Sequence, residues 1–285
     1  MDWLLAHESA LQSYALIGTF GLVAIAECAV PLRPAAVSLV QRWFSNISLT
    51  VLGSIVTRYG LPFVAIAIAV LAQEHRWGLL NALALPAWCS IVAGVVMLDL
   101  AGYGMHRVMH AVPVLWRVHQ IHHSDLDLDC GTAIRHHPLE ALVSHALTLG
   151  AVFALGIAPV AVVISEALQT SASLFNHANI ALPARLQALL RHLLVTPDMH
   201  RVHHSMVYAE SNTNFGNLFP WWDRLLATYC AAPARGQLGI QFGIACAPAA
   251  QDVTLLKLLW LPFRATTQIA VVMPESMPFR PGGTQ

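Results

Sequence analysis

Long apolar runs limit this chain more than anything else in it. A membrane-crossing helix needs about 20 mostly apolar residues. Leu11–Val30 qualifies, interrupted only by Gln12 and Glu27; Leu49–Ala72 qualifies with Arg58 inside it; Trp77–Leu98 carries no charge and ends at Asp99. A fourth run, Ala141–Leu168, is broken by Gly156-Ile-Ala-Pro159. The break predicts a hairpin of two short helices that go in and come back, which a membrane accepts when the turn packs in protein. Leu255–Phe263 is shorter, contains Lys257, and reads as interfacial. The tail Pro274–Gln285 is rich in Pro and Gly and reads as loose.

Composition agrees. Hydrophobic residues make up 56% of the 285 and charged residues 11%, against roughly 25% charged in a soluble domain. A soluble globule and a disordered chain are both excluded. Lys plus Arg (15) balances Asp plus Glu (15), so nothing favours nucleic acid. Five scattered cysteines with no C-x-x-C pair argue against a disulfide framework, a zinc ribbon or an iron–sulfur cluster.

Basic residues set the orientation. None precedes the first run, and Arg33 and Arg42 follow it. The N-terminus is then outside, Glu74-His75-Arg76 is an outer turn, and Asp99 onward faces the cytoplasm. The inner membrane of a bacterium, or its equivalent, fits that reading.

Histidine is the outlier: there are 15, and 13 fall between His106 and His204. Asp99, Tyr103, His106 and His110 share a stripe on a helix continuing from the third run. His119, His122 and His123 converge at i, i+3 and i+4, and His200, His203 and His204 repeat that spacing. Thr196 before Pro197 is expected to open the last of these helices as N-cap and N1. Isolated imidazoles such as His7, His75, His145 and His192 are accounted for by ordinary hydrogen bonding. Eight imidazoles at the end of apolar helices are costly to bury without another role. Metal ligation supplies one, and eight exceed what a single four-coordinate ion needs. Two metals are expected.

Asp-x-x-x-Tyr-x-x-His-Arg-x-x-His (Asp99 to His110), His-x-x-His-His (His119 to His123) and His-x-x-His-His (His200 to His204) resemble the fatty acid hydroxylase and sterol desaturase superfamily of membrane-bound histidine-box oxygenases. Arg135-His-His-Pro-Leu-Glu140, Phe175-Asn-His177, Asn214-Phe-Gly216 and Trp222-Asp223 extend the resemblance over roughly residues 80 to 230. It implies two iron ions held by His106, His110, His119, His122, His123, His200, His203 and His204, with His177 as a further ligand and His137, at the family's His-Pro, also among the metal residues. Where some members have a second histidine four residues after the His177 position, this chain has Ala181. Asp99, Glu140, Asp198 and Asp223 are candidates to receive the second N–H of a ligating imidazole, with Tyr103 beside them. Trp221 and Trp222 read as interfacial anchors. Asp125, Asp127 and Asp129 alternate without the glycine and glutamate of a calcium loop and read as a solvated loop.

The expectation is therefore an all-α integral membrane protein with about three spans plus a broken hairpin. A cytoplasmic, histidine-rich helical cap would hold a di-metal site. Residues 1–98 are assigned to the spans, 99–230 to the catalytic domain including hairpin 141–170, and 231–285 to an interfacial segment and tail. The resemblance implies an oxidoreductase that uses dioxygen to hydroxylate or desaturate a lipid: a sterol, a fatty acyl chain or an alkylglycerol. The alternative is a non-catalytic metal-binding or metal-transporting membrane protein. Its sites belong at the bilayer midplane on broken helices, whereas the boxes follow the spans in Arg-rich segments. No dinucleotide fingerprint or cytochrome b5-type haem segment is evident. An external electron donor is expected, a ferredoxin or b-type cytochrome with its reductase, with Arg107, Arg117, Arg191 and Arg201 as candidate docking charges.

Overall fold

The computed structural model describes residues 2–83, 85–244 and 254–264; the tail Pro274–Gln285 lies outside them. The described chain is helical, with only isolated bridges, Pro31 to Ile180 and Ser205 to Phe242. Its main helices are α1 (Asp2–Ala29), α2 (Leu39–Gly60), α3 (Ala65–Glu74), α4 (Leu79–Ala82), α5 (Ala87–Ala111), α6 (Pro113–His123), α7 (Pro138–Leu155), α8 (Pro159–Asn176), α9 (Ala184–Leu190) and α10 (Pro197–His203). Four segments are long and apolar enough to cross a membrane: Ala6–Ala29, Leu39–Ala82, Ala87–Ala111 and Pro138–Leu155.

The hairpin forms where the apolar run breaks. Gly156 takes the left-handed conformation (φ 62°, ψ 48°) and Pro159 opens α8, the glycine-then-proline order that stops one helix and starts another. Each arm has 18 residues, about 27 Å at 1.5 Å per residue, close to the apolar thickness of a bilayer. The turn is packed. Gly78, itself at φ 90°, lies so close that a Cβ there would stand 2.2 Å from the Gly156 nitrogen, and Trp77 stacks edge-on against Phe153. Glu74, His75 and Arg76 therefore sit at the turn end of the bundle, and residues 138 and 176 lie at the other.

The second apolar run departs from a single span. Pro62 stops α2 at Gly60, because the ring bars the residue before it from helical backbone and removes an N–H. The chain resumes as α3 at Ala65. The third span likewise starts at Ala87, not Trp77, since residues 77–82 make the turn that packs on Gly156. α5 then runs unbroken past Asp99 to Ala111 and carries His106 and His110 with it.

The loop of three aspartates is not solvated. Asp125, Asp127 and Asp129 are 2%, 5% and 6% exposed. Arg42 of α2, fully buried, donates from Nε to Asp125 and from Nη1 to Asp129, both at 2.6 Å. The Ala36 and Val37 amides donate to Asp127. Arg135 adds bonds to the Ile121 carbonyl, Asn46 and Ser124. A charge cluster 83 or more residues apart in sequence thus pins the start of α2 onto the loop after α6. Leu258 and Leu261 pack with Leu49 and Ile121, so the segment after Leu255 covers α6 as part of the core.

Candidate metal centre

Two proline-led helices and one span converge on the cap. Pro113 turns the chain sharply after α5, with Val112 extended (φ −96°, ψ 115°), so α6 folds back and its histidines face those of α5. Pro197 starts α10 as expected. Thr196 precedes it but does not cap the backbone; its hydroxyl donates to Asp198 instead.

These helices, with His177 at the end of α8, sort nine histidines into two adjoining groups. His106, His110, His119, His123 and His203 form one; His122, His177, His200 and His204 form the other. Within each group the inward nitrogens lie within 4.8 Å of one another. The groups touch where the His123 and His204 rings stack at 4.6 Å. The i, i+3, i+4 boxes are split between groups: one helix face offers adjacent residues to two centres.

The arrangement fits two cations. His106 donates from Nδ1 to the Phe215 carbonyl and His203 from Nδ1 to the Thr213 carbonyl, each at 2.8 Å. A neutral imidazole has one N–H, so both Nε2 atoms carry lone pairs, and they face each other at 3.0 Å. Opposed lone pairs repel unless a cation lies between them. His177 donates to the Ser173 carbonyl and turns its Nε2 towards those of His122, His200 and His204 at 3.1–3.2 Å. His119 Nε2 is buried with no hydrogen-bond partner, as a metal-facing nitrogen should be. Ligand spacings near 3–4 Å follow from metal–nitrogen bonds of about 2.0–2.1 Å. Burial first, and the neighbouring imidazoles second, hold His122, His123, His200, His203 and His204 well below the ordinary imidazole value. The rings are therefore neutral at neutral pH, the form that binds metal.

Of the candidate supporting residues, Glu140 touches a ligand-group histidine: His119 donates to its Oε1 from Nδ1 at 2.7 Å. Asp99, Tyr103, Asp198 and Asp223 touch none among the described contacts. Asp99 accepts from the Leu218 and Phe219 amides and the Trp222 indole, so Trp222 is tied inward rather than serving as an interfacial anchor. Trp221 donates to the His192 carbonyl. Asp223 accepts from the Phe215 and Gly216 amides, and Tyr103 shares a bond with Thr228. These residues shape the loop whose Phe215 carbonyl orients His106. Asp198 pairs with Arg191 and Gln187.

His137 falls outside both groups. Its Nδ1 accepts from the Leu139 amide at the start of α7, and its Nε2 meets the Leu259 carbonyl. Both nitrogens are spoken for, which corrects its place among the ligands. His136, its neighbour, was not singled out by motif. It bonds Glu140 at 3.0 Å, lies parallel to the His122 ring, and joins His119 and Glu140 in a third, smaller group. Burial opposes a proton on His136, but the Glu140 carboxylate outweighs it and holds the imidazole above its ordinary value. Arg201 is buried against the Ala178 carbonyl and Gln237, which removes it from the docking charges; Arg107 and Arg117 are exposed.

Adjoining histidine groups at one end of the apolar helices mark a candidate metal site. Residues 91–228 match the model of the family described as Fatty acid hydroxylase. The chain is 34% identical to ornithine lipid hydroxylase OlsE of Rhizobium tropici, over 52% of this chain and 44% of that protein. Alkylglycerol monooxygenase of Homo sapiens is 27% identical over 63% of this chain and 39% of its own length. Sphinganine C4-monooxygenase 1 of Arabidopsis thaliana is 27% identical over 48% and 53%. The chain thus spans less than half the length of the first two. No solved structure matches it.

Proposed function

We propose that this chain is a membrane-bound lipid hydroxylase with a di-iron centre. His106, His110, His119, His123 and His203 would hold one ion, and His122, His177, His200 and His204 the other. With dioxygen and two electrons, such a centre supplies the oxidising power to convert an unactivated C–H bond to an alcohol. The observation that carries this reading is the pairing of two buried all-imidazole groups with a chamber of about 290 Å³ against them, lined by His106, His119, His122, His177 and His200. Imidazole suits iron. Burial keeps the rings neutral and excludes water, and the Phe215, Thr213 and Ser173 carbonyls and Glu140 fix which nitrogen faces the metals.

The relatives' names, ornithine lipid, alkylglycerol and sphinganine, support a lipid substrate. Hydroxylation is favoured over desaturation by those same names. The histidine end is assigned to the cytoplasmic face of a bacterial inner membrane or its equivalent. Electrons would come from a ferredoxin or cytochrome b5-type donor with its reductase, docking near Arg107 and Arg117. Lipid extracts of cells expressing the chain and its His203→Ala variant test this. A lipid heavier by one oxygen, present only with the unaltered chain, is expected; identical lipid profiles would contradict the proposal.

A further inference from the structure

The Asn214-Phe-Gly216 segment contains no histidine, yet it meets the five-histidine group at two points. The Thr213 carbonyl accepts from His203 Nδ1 and the Phe215 carbonyl from His106 Nδ1, each at 2.8 Å. The Phe215 ring packs against the rings of His106, His110 and His203, with centroids 5.1–5.6 Å apart. Between the two carbonyls stands Asn214, fully buried and in the left-handed region (φ 53°).

That backbone conformation decides where the carbonyls point. Returning φ to the ordinary helical value of about −63° would turn the Thr213 peptide plane by roughly 115° relative to Phe215, and its carbonyl would leave His203. Asparagine is one of the few residues with a Cβ that visits this region routinely. Here its side chain also reaches well beyond its own turn. Nδ2 donates to the Met199 carbonyl of α10 at 2.9 Å and to the Cys230 carbonyl at 2.8 Å, while Oδ1 accepts from the Cys230 amide at 2.9 Å. The Asn214 amide itself donates to the Thr228 carbonyl. Both side-chain N–H groups and the oxygen are engaged, so the amide has one orientation. Met199 lies one turn before His203 on α10. A single side chain thereby fixes both carbonyls relative to the helix that carries His203.

The four-histidine group has no such clamp among the described contacts. His177 is held by the Ser173 carbonyl of α8, and Nδ1 of His122 and of His200 is buried without a hydrogen-bond partner. We propose that Asn214 is a positioning residue for the five-histidine group alone. It holds the Thr213 and Phe215 carbonyls where they keep His203 and His106 in the tautomer that presents Nε2 to the metal. The inference rests on the two-ion reading of the site, so its test titrates metal and does not read turnover.

The metal-free protein in detergent is titrated with cobalt(II), whose visible absorption reports ligand geometry. The unaltered chain should bind two ions. Asn214→Gly keeps the left-handed backbone without strain and should fold. One ion should then bind about 10- to 100-fold more weakly, with altered absorption, and the other as before. Asn214→Ala places a Cβ at positive φ with no hydrogen bonds to hold it there, and should bind that ion more weakly still. Two double variants assign the loss. Added to His110→Ala, which disables the same group, Asn214→Gly should remove nothing further; added to His200→Ala, it should leave no tightly bound ion. Unchanged binding in Asn214→Gly, equal weakening of both ions, the same added loss in both double variants, or Asn214→Ala binding as tightly as Asn214→Gly would overturn the proposal. An unaltered chain that binds fewer than two ions would count against the two-ion reading instead.

Discussion

His119 donates to Glu140 Oε1 from one ring nitrogen at 2.7 Å and turns the other, unpartnered, into the five-histidine group. Since a carboxylate only accepts, this contact puts the proton on Nδ1 and leaves the Nε2 lone pair for a metal. Glu140→Ala frees the ring to rotate and removes the acceptor that fixes its tautomer. Metal affinity should fall about 10- to 100-fold, measured by titrating the metal-free protein with ferrous or zinc ions. Unchanged affinity would mean that Glu140 serves only to hold His136.

The division into two groups has its own signature. His110→Ala and His200→Ala each remove one ring from a different group, and each should lower bound metal from two ions per chain towards one. His192→Ala and His137→Ala should keep both ions, because His192 is exposed and the nitrogens of His137 are bound elsewhere. Metal analysis of the four purified variants checks this. Full metal content in His200→Ala would dissolve the second group.

Arg42 anchors the cap. Replacing it with methionine leaves Asp125 and Asp129 buried without their partner, a loss of about 3–5 kcal/mol for a broken buried pair. A large drop in melting temperature is expected, with Asp125→Asn in the same background recovering part of it. A shift of only a degree or two in Arg42→Met would show that water reaches the cluster.

How far these features could be read in advance depends on what each one rests on. The hairpin break at Gly156 and Pro159, the run of α5 through His106 and His110, and the spacing of the boxes are local. Each follows from backbone rules acting within a few residues. The nine clustered histidines all came from motifs. What escaped was long-range. Nothing near Asp125 signals that Arg42, on a helix 83 residues earlier, neutralises it, so alternating aspartates read as a wet loop. The Phe215, Thr213 and Ser173 carbonyls that orient the imidazoles are backbone atoms with no residue signature. His137 and His136 were exchanged in importance because the His-Pro motif points to the residue before the proline, while the α7 N-terminus consumes that ring.

Acid should destabilise the metal-free protein. Burial pulls His177 down to about 3, and holds its neighbours in the cap well below their ordinary value. Unfolded histidines titrate near 6.5. Between about 6.5 and 3 the unfolded chain therefore binds more protons than the folded one, and stability falls as pH falls through that window. Melting temperatures of the metal-free protein should drop between pH 7 and pH 5.5 and level off above about pH 7.5. A flat profile would mean that the cap histidines are solvated without metal.

The most direct test of the central claim follows the oxygen atom. The iron-loaded protein is supplied with a lipid extract, a chemical reductant and 18O-labelled dioxygen, and products are read by mass spectrometry beside a metal count. Two irons per chain and a lipid alcohol carrying one 18O atom, absent with His203→Ala, are the predicted result. An unlabelled product, or no product from protein holding both ions, would contradict the account.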